Sequence, residues 1–123
     1  MPTILVLDDS STMVMSLSRM LKNAGYDVET AADGRIGIGM LTAGLKPAII
    51  LTDLNMPNMD GIAFIKEARQ IAATRFTPII VLSTESDAGK KNEARAAGAS
   101  GWLSKPSEPD RLMSALQKML PSQ

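Results

Sequence analysis

Two rhythms of hydrophobic and polar positions alternate along this chain. Short apolar runs without helical period occupy Thr3–Asp8, Ala48–Asp53 and Pro78–Ser83, and two weaker ones lie at Asp27–Ala31 and Ser100–Ser104. Compact, β-branched-rich runs of this kind predict strands buried on both faces, as in a parallel sheet. Between them the apolar positions recur with a period near 3.6. Over Ser10–Ala24, the residues Met13, Val14, Leu17, Met20 and Leu21 share one helix face, and Gly25 stands where a C-terminal cap is wanted. Gly61–Ile71 repeats the spacing with Ile62, Ile65, Ala68 and Ile71, and Pro109–Leu120 with Leu112, Leu116, Met119 and Leu120. Ser86–Ala97 offers only alanines to a core, so the helix predicted there packs thinly. Asp33–Ala43 keeps the spacing through Ile36, Met40 and Ala43, although Gly34, Gly37 and Gly39 each lower helix propensity by up to ~1 kcal/mol relative to Ala.

Strand and helix alternate five times, which predicts an α/β fold with an open five-stranded parallel sheet and right-handed crossovers. No repeat, low-complexity segment or linker interrupts residues 1–123, so one domain is expected, with no second domain behind it. The opening MPTILVLDD has no basic flank and its apolar run stops at Asp8. It resembles neither a signal peptide nor a membrane span, and a soluble, cytoplasmic, monomeric protein is expected.

Composition narrows the chemistry. Thirteen Lys and Arg balance thirteen Asp and Glu, so the chain lacks the electrostatic footprint of a nucleic-acid binder. The absence of Cys and His excludes disulfides, thiolate metal sites, zincins and Ser-His-Asp triads. Carboxylates, hydroxyls, amines and backbone groups remain, and they stand at strand ends. Asp8 and Asp9 follow the first strand, Asp53 ends the third, Ser83 ends the fourth, and Lys105-Pro106 follows the fifth. In open parallel sheets the site forms at the carboxyl ends of the strands, where strand order reverses. Taken singly, the Asp pair suits a helix cap, Asp53 a turn, Ser83 a polar strand end and Lys-Pro an exposed turn. Jointly they form one site if the first and third strands are neighbours. Two carboxylates about 5 Å apart repel by roughly 3 kcal/mol at an effective dielectric near 20. Such a nest calls for a raised pKa, an ammonium or a cation. Hard oxygen ligands without His or Cys point to Mg2+, in a site suited to phosphoryl transfer onto a carboxylate.

At these residues the sequence resembles the receiver domain of bacterial two-component response regulators, in its single-domain, CheY-like chemotaxis form. The likeness spans nearly the whole chain and rests on LVLDDSSTM, DLNMPNMDG, Ser83-Thr84-Glu85 and GASGWLSKP, with the intervals between them. It implies a flavodoxin-like (βα)5 fold with strand order 2-1-3-4-5. It also implies that Asp53 is the phosphoacceptor and that Asp8, Asp9, Asp53 and the backbone carbonyl of Asn55 hold Mg2+. Ser83, Lys105 and Trp102 are then the phosphoryl-binding and switch residues, Pro106 a cis proline, and Asn55 and Glu85 the residues that tune loss of the phosphoryl group. The donor implied is a histidine kinase; no nucleic acid or membrane enters. The output face implied is the fourth helix, fifth strand and fifth helix. A flagellar motor switch, another signalling protein and a phosphate-sink role stay open there. The chain departs from the family at Trp102, where Tyr or Phe is usual, at Ser107, where Phe is usual, and at Val14, where many relatives are basic.

Other classes fit less well. An aspartyl-phosphate hydrolase on a similar sheet needs Asp-x-Asp after the first strand, whereas Asp8 and Asp9 are adjacent and Ser10 fills the second slot. A flavin-mononucleotide site needs a Gly- and hydroxyl-rich phosphate loop there instead of two negative charges. An inactive receiver-like scaffold is the remaining alternative.

Overall fold

The computed structural model describes residues 2–84, 88–104 and 109–120. Its elements are β1 (Thr3–Leu7), α1 (Ser11–Asn23), β2 (Asp27–Ala31), α2 (Gly34–Thr42), β3 (Ile49–Asp53), α3 (Gly61–Ala68), β4 (Ile79–Ser83), α4 (Ala88–Ala97), β5 (Gly101–Ser104) and α5 (Pro109–Met119). The strands form one parallel sheet in the order β2-β1-β3-β4-β5.

Strand alternation divides the core. Ile4, Val6, Ile49, Leu51, Ile80 and Leu82 pack on one face with Leu17 and Leu21 of α1 and Leu112 and Leu116 of α5. Leu5, Leu7, Ile50, Ile79 and Val81 pack on the other with Phe64 and Ile65 of α3, Leu41 of α2 and Ala94 of α4. Both faces are covered, which is why β1, β3 and β4 read as unbroken apolar runs. The two weaker runs, β2 and β5, are the edge strands, and their side chains are largely exposed or half-buried.

Local chemistry sets the helix ends. Ser10, Asp33 and Asp60 cap α1, α2 and α3 by accepting from the N–H groups of Met13, Ile36 and Ala63. Gly25, at φ 99°, lets the chain leave α1 with the Tyr26 N–H bonded back to the Leu21 carbonyl. Helix α3 is shorter than its apolar period predicts. It stops at Ala68 because the buried Thr74 hydroxyl donates to the Ala68 carbonyl at 2.6 Å, turning Ala72–Thr74 into a 3-10 segment. Helix α4 packs thinly as expected, with Ala94 its buried residue.

The glycines of α2 have a packing role. A Cβ at Gly37 would lie 2.6 Å from Leu7 Cδ2 and 3.0 Å from Phe64 Cε1, so α2 sits against β1 and α3 at a distance only glycine allows. Gly39 faces open space.

Candidate functional site

The sheet order makes β1 and β3 neighbours, with Leu7 paired to Thr52. Asp8 therefore leaves β1 beside the point where Asp53 ends β3. One carboxylate oxygen from each of Asp8, Asp9 and Asp53 lies within 4.8 Å of the others. Asp8 is buried, Asp53 half-buried and Asp9 exposed. Helix capping does not explain the acidic pair. Ser10 supplies the cap of α1, its hydroxyl accepting from the Met13 N–H at 3.2 Å, while Asp8 Oδ1 accepts from the Ser10 N–H at 2.9 Å and fixes the turn.

Asp53 is oriented by its own loop. Its Oδ1 accepts from the Leu54 N–H at 2.8 Å, and the Leu54 carbonyl accepts from the Gly61 N–H at 2.8 Å. A Cβ at Gly61 would collide with the Asp53 carbonyl oxygen, so glycine is what lets α3 begin directly behind the acid. Asn55, two residues beyond Asp53, is exposed on the same loop.

Ser83 ends β4 and is fully buried. Asp53 pairs with Leu82, which places Ser83 one residue past the acid on the adjacent strand, and Ser83 in turn pairs with Ser104 at the end of β5. Trp102, paired with Val81, packs against the core between the sheet and α2, α3 and α4. Its indole nitrogen is buried and has no hydrogen-bond partner among the described residues. Lys105, Pro106, Ser107 and Glu85 lie outside the described residues.

Carboxylate oxygens from these three residues could hold a hard cation of the Mg2+ type, which would offset their mutual repulsion. Asp9 is exposed, and Asp8 and Asp9 also line a groove of about 540 Å³ between α1 and β2.

One link has no signature in the residue order. The Asn58 amide donates to Asp33 Oδ2 at 2.8 Å, joining the loop after β3 to the N-terminus of α2. Asp33-Gly34 is recognisable as a helix start, but no local signal shows that its carboxylate serves a residue twenty-five positions away.

Comparison with known proteins finds relatives of this chain and of its fold. The family described as response regulator receiver domain matches residues 4–117. Protein PilG of Pseudomonas aeruginosa is 33% identical over 119 residues, covering 97% of this chain and 87% of that protein. The solved structure of chemotaxis response regulator CheY4 of Vibrio cholerae superposes with a TM-score of 0.90 at 42% identity, over 98% of this chain and 99% of that one. The receiver domain of sensor histidine kinase PA1611 from P. aeruginosa, solved with a magnesium ion coordinated in its active-site cleft, superposes with a TM-score of 0.88 at 29% identity, covering 98% of each chain.

Proposed function

The chain belongs to the response regulator receiver domain family, and on that premise we propose that it accepts a phosphoryl group from a histidine kinase onto Asp53 and signals through the resulting change of its surface. The observation that carries this is the approach of the Asp8, Asp9 and Asp53 carboxylates to within 4.8 Å at the ends of two adjacent strands. Asp8, Asp9, Asp53 and the Asn55 carbonyl would hold Mg2+. When bound, that ion neutralises charge on the phosphoryl oxygens.

The protein's own part is positioning. The Leu54 N–H holds the Asp53 carboxylate in one orientation, and attack by a carboxylate oxygen forms an O–P bond as the donor's N–P bond breaks. Ser83, on the next strand, offers a hydroxyl to the transferred group, and Lys105 its ammonium. Asn55 and Glu85 tune the later attack by water. Ser83 and Trp102 sit on the paired strands β4 and β5, so a bond drawn to Ser83 reaches the α4–β5–α5 face through one strand pair. Helix α4 buries Ala94 as its one buried side chain, so little apolar contact resists a shift of its first turns. The likeness to a chemotaxis regulator supports a place in chemotaxis signalling.

Acetyl phosphate with Mg2+ should convert the wild type to an acyl phosphate, and Asp53→Asn should abolish it. Robust phosphorylation of that variant refutes the assignment. Lys105→Ala should still bind Mg2+ but lose the phosphate-dependent change in Trp102 fluorescence. Pull-downs with and without beryllofluoride then separate a downstream target, retained only with beryllofluoride, from a phosphate sink, which retains none.

A further inference from the structure

We propose that Asp33 and Asn58 are positioning residues for the magnesium site: their hydrogen bond clamps the loop after β3 so that the Asn55 carbonyl stays where a cation needs it. The inference rests on the metal assignment above and adds the residues that hold its backbone ligand in place.

Residues 54–60 carry the chain from Asp53 to α3. The ends of this loop are fixed by burial and backbone bonds. Leu54 is buried and its carbonyl accepts from the Gly61 N–H at 2.8 Å. Met59 is buried in the core and its carbonyl accepts from the Gly34 N–H at 3.1 Å. The middle is different. Asn55, Pro57 and Asn58 are exposed, and the backbone bond formed there is the local one from the Met59 N–H to the Pro57 carbonyl. Among the described residues, the side-chain hydrogen bond reaching this loop from another element is the one from Asn58 to Asp33.

Both partners suit the task. Asn58 has φ 66°, a left-handed conformation that asparagine tolerates better than most residues. Asp33 divides its carboxylate: Oδ1 accepts from the Ile36 N–H at 2.8 Å and caps α2, while Oδ2 accepts from Asn58 at 2.8 Å. An ionised carboxylate only accepts, so the amide must present its nitrogen. The two bonds hold the Asp33 carboxyl below its ordinary value, the Asn58 amide contributing most, and keep it ionised at neutral pH. The anchor itself is rigid, because Gly34 and Gly37 bring α2 against Met59, Leu7 and Phe64 with no room for a Cβ.

The test breaks the bond from each end. Asn58→Gly keeps the left-handed backbone and removes the donor. Asp33→Ser keeps an N-cap for α2 with a side chain too short to reach Asn58. Each should weaken Mg2+ binding to the unphosphorylated protein, measured by calorimetry, by about tenfold, the scale set by residues that support metal ligands. Amide exchange at Asn55 and Met56 should accelerate in both, and the combined variant should be no weaker than either alone. Transposing the pair, Asp33→Asn with Asn58→Asp, preserves net charge and an amide–carboxylate bond and should restore wild-type affinity within about twofold. Lowered thermal stability with unchanged Mg2+ affinity in both single variants overturns the clamp, as does a transposed pair that folds without recovering affinity. A wild type that binds no Mg2+ overturns the metal assignment, and the clamp's purpose with it.

Discussion

Arg69 donates to the carbonyl of Gly98 through both Nε, at 3.1 Å, and Nη2, at 2.7 Å, so the last turn of α4 is tied to the end of α3 by one guanidinium. Its Nη1 donates to the carbonyls of Thr74, Arg75 and Thr77 as well. Burial holds the group below its ordinary value, yet a guanidinium stays protonated in proteins. A positive charge at the C-terminus of α4 also complements the helix dipole. The contact is close: a Cβ at Gly98, which has φ 120°, would lie 2.9 Å from Arg69 Cγ.

Arg69→Leu removes these charge-assisted bonds and leaves carbonyls without their donor. The expected loss is about 3 kcal/mol, read by urea denaturation. Arg69→Lys should recover less than half, because a single ammonium cannot reproduce the fork. Full recovery by lysine would show that charge alone matters.

Gly37 and Gly39 should respond oppositely to alanine. At Gly37 the new methyl meets Leu7 and Phe64, an overpacking that costs about 1–3 kcal/mol. At Gly39 it meets nothing within 4 Å and should stabilise the protein by roughly 0.5–1 kcal/mol through better helix propensity. Equal effects in thermal unfolding would contradict the close approach of α2.

Trp102→Phe should leave stability within about 1 kcal/mol of the wild type. Removing a buried indole N–H that has no acceptor among the described residues returns roughly 1–3 kcal/mol, and the lost ring contacts take back a similar amount. A loss above about 3 kcal/mol on chemical denaturation would mean that the N–H has a partner.

Acid should expose the role of Asp33. Its folded pKa lies below the ordinary 3.8, so the stability it contributes is complete above the unfolded value and is lost as the pH falls through the folded one. Asp33→Asn should therefore show a shallower decline in unfolding midpoint below about pH 4 than the wild type does. Parallel curves for the two proteins would remove the linkage.

Much of this protein was determined by residue order alone. The alternation of unbroken apolar runs with 3.6-period segments depends on which faces are buried, and a parallel sheet covered on both sides writes that requirement into every central strand. Asp8, Asp9, Asp53 and Ser83 were visible because strand ends are marked by the same pattern. The shortened α3 was not, because the Thr74 hydroxyl that ends it competes from six residues away. Nor were the packing role of Gly37, the Arg69 staple and the bond from Asn58 to Asp33. Each depends on a distance between elements, and helix propensity alone made the glycines of α2 look like weaknesses. Local spacing states which face of an element is apolar and which residues stand at its end. How closely two elements approach, and which polar groups then find each other, follows only when the sheet order brings them together.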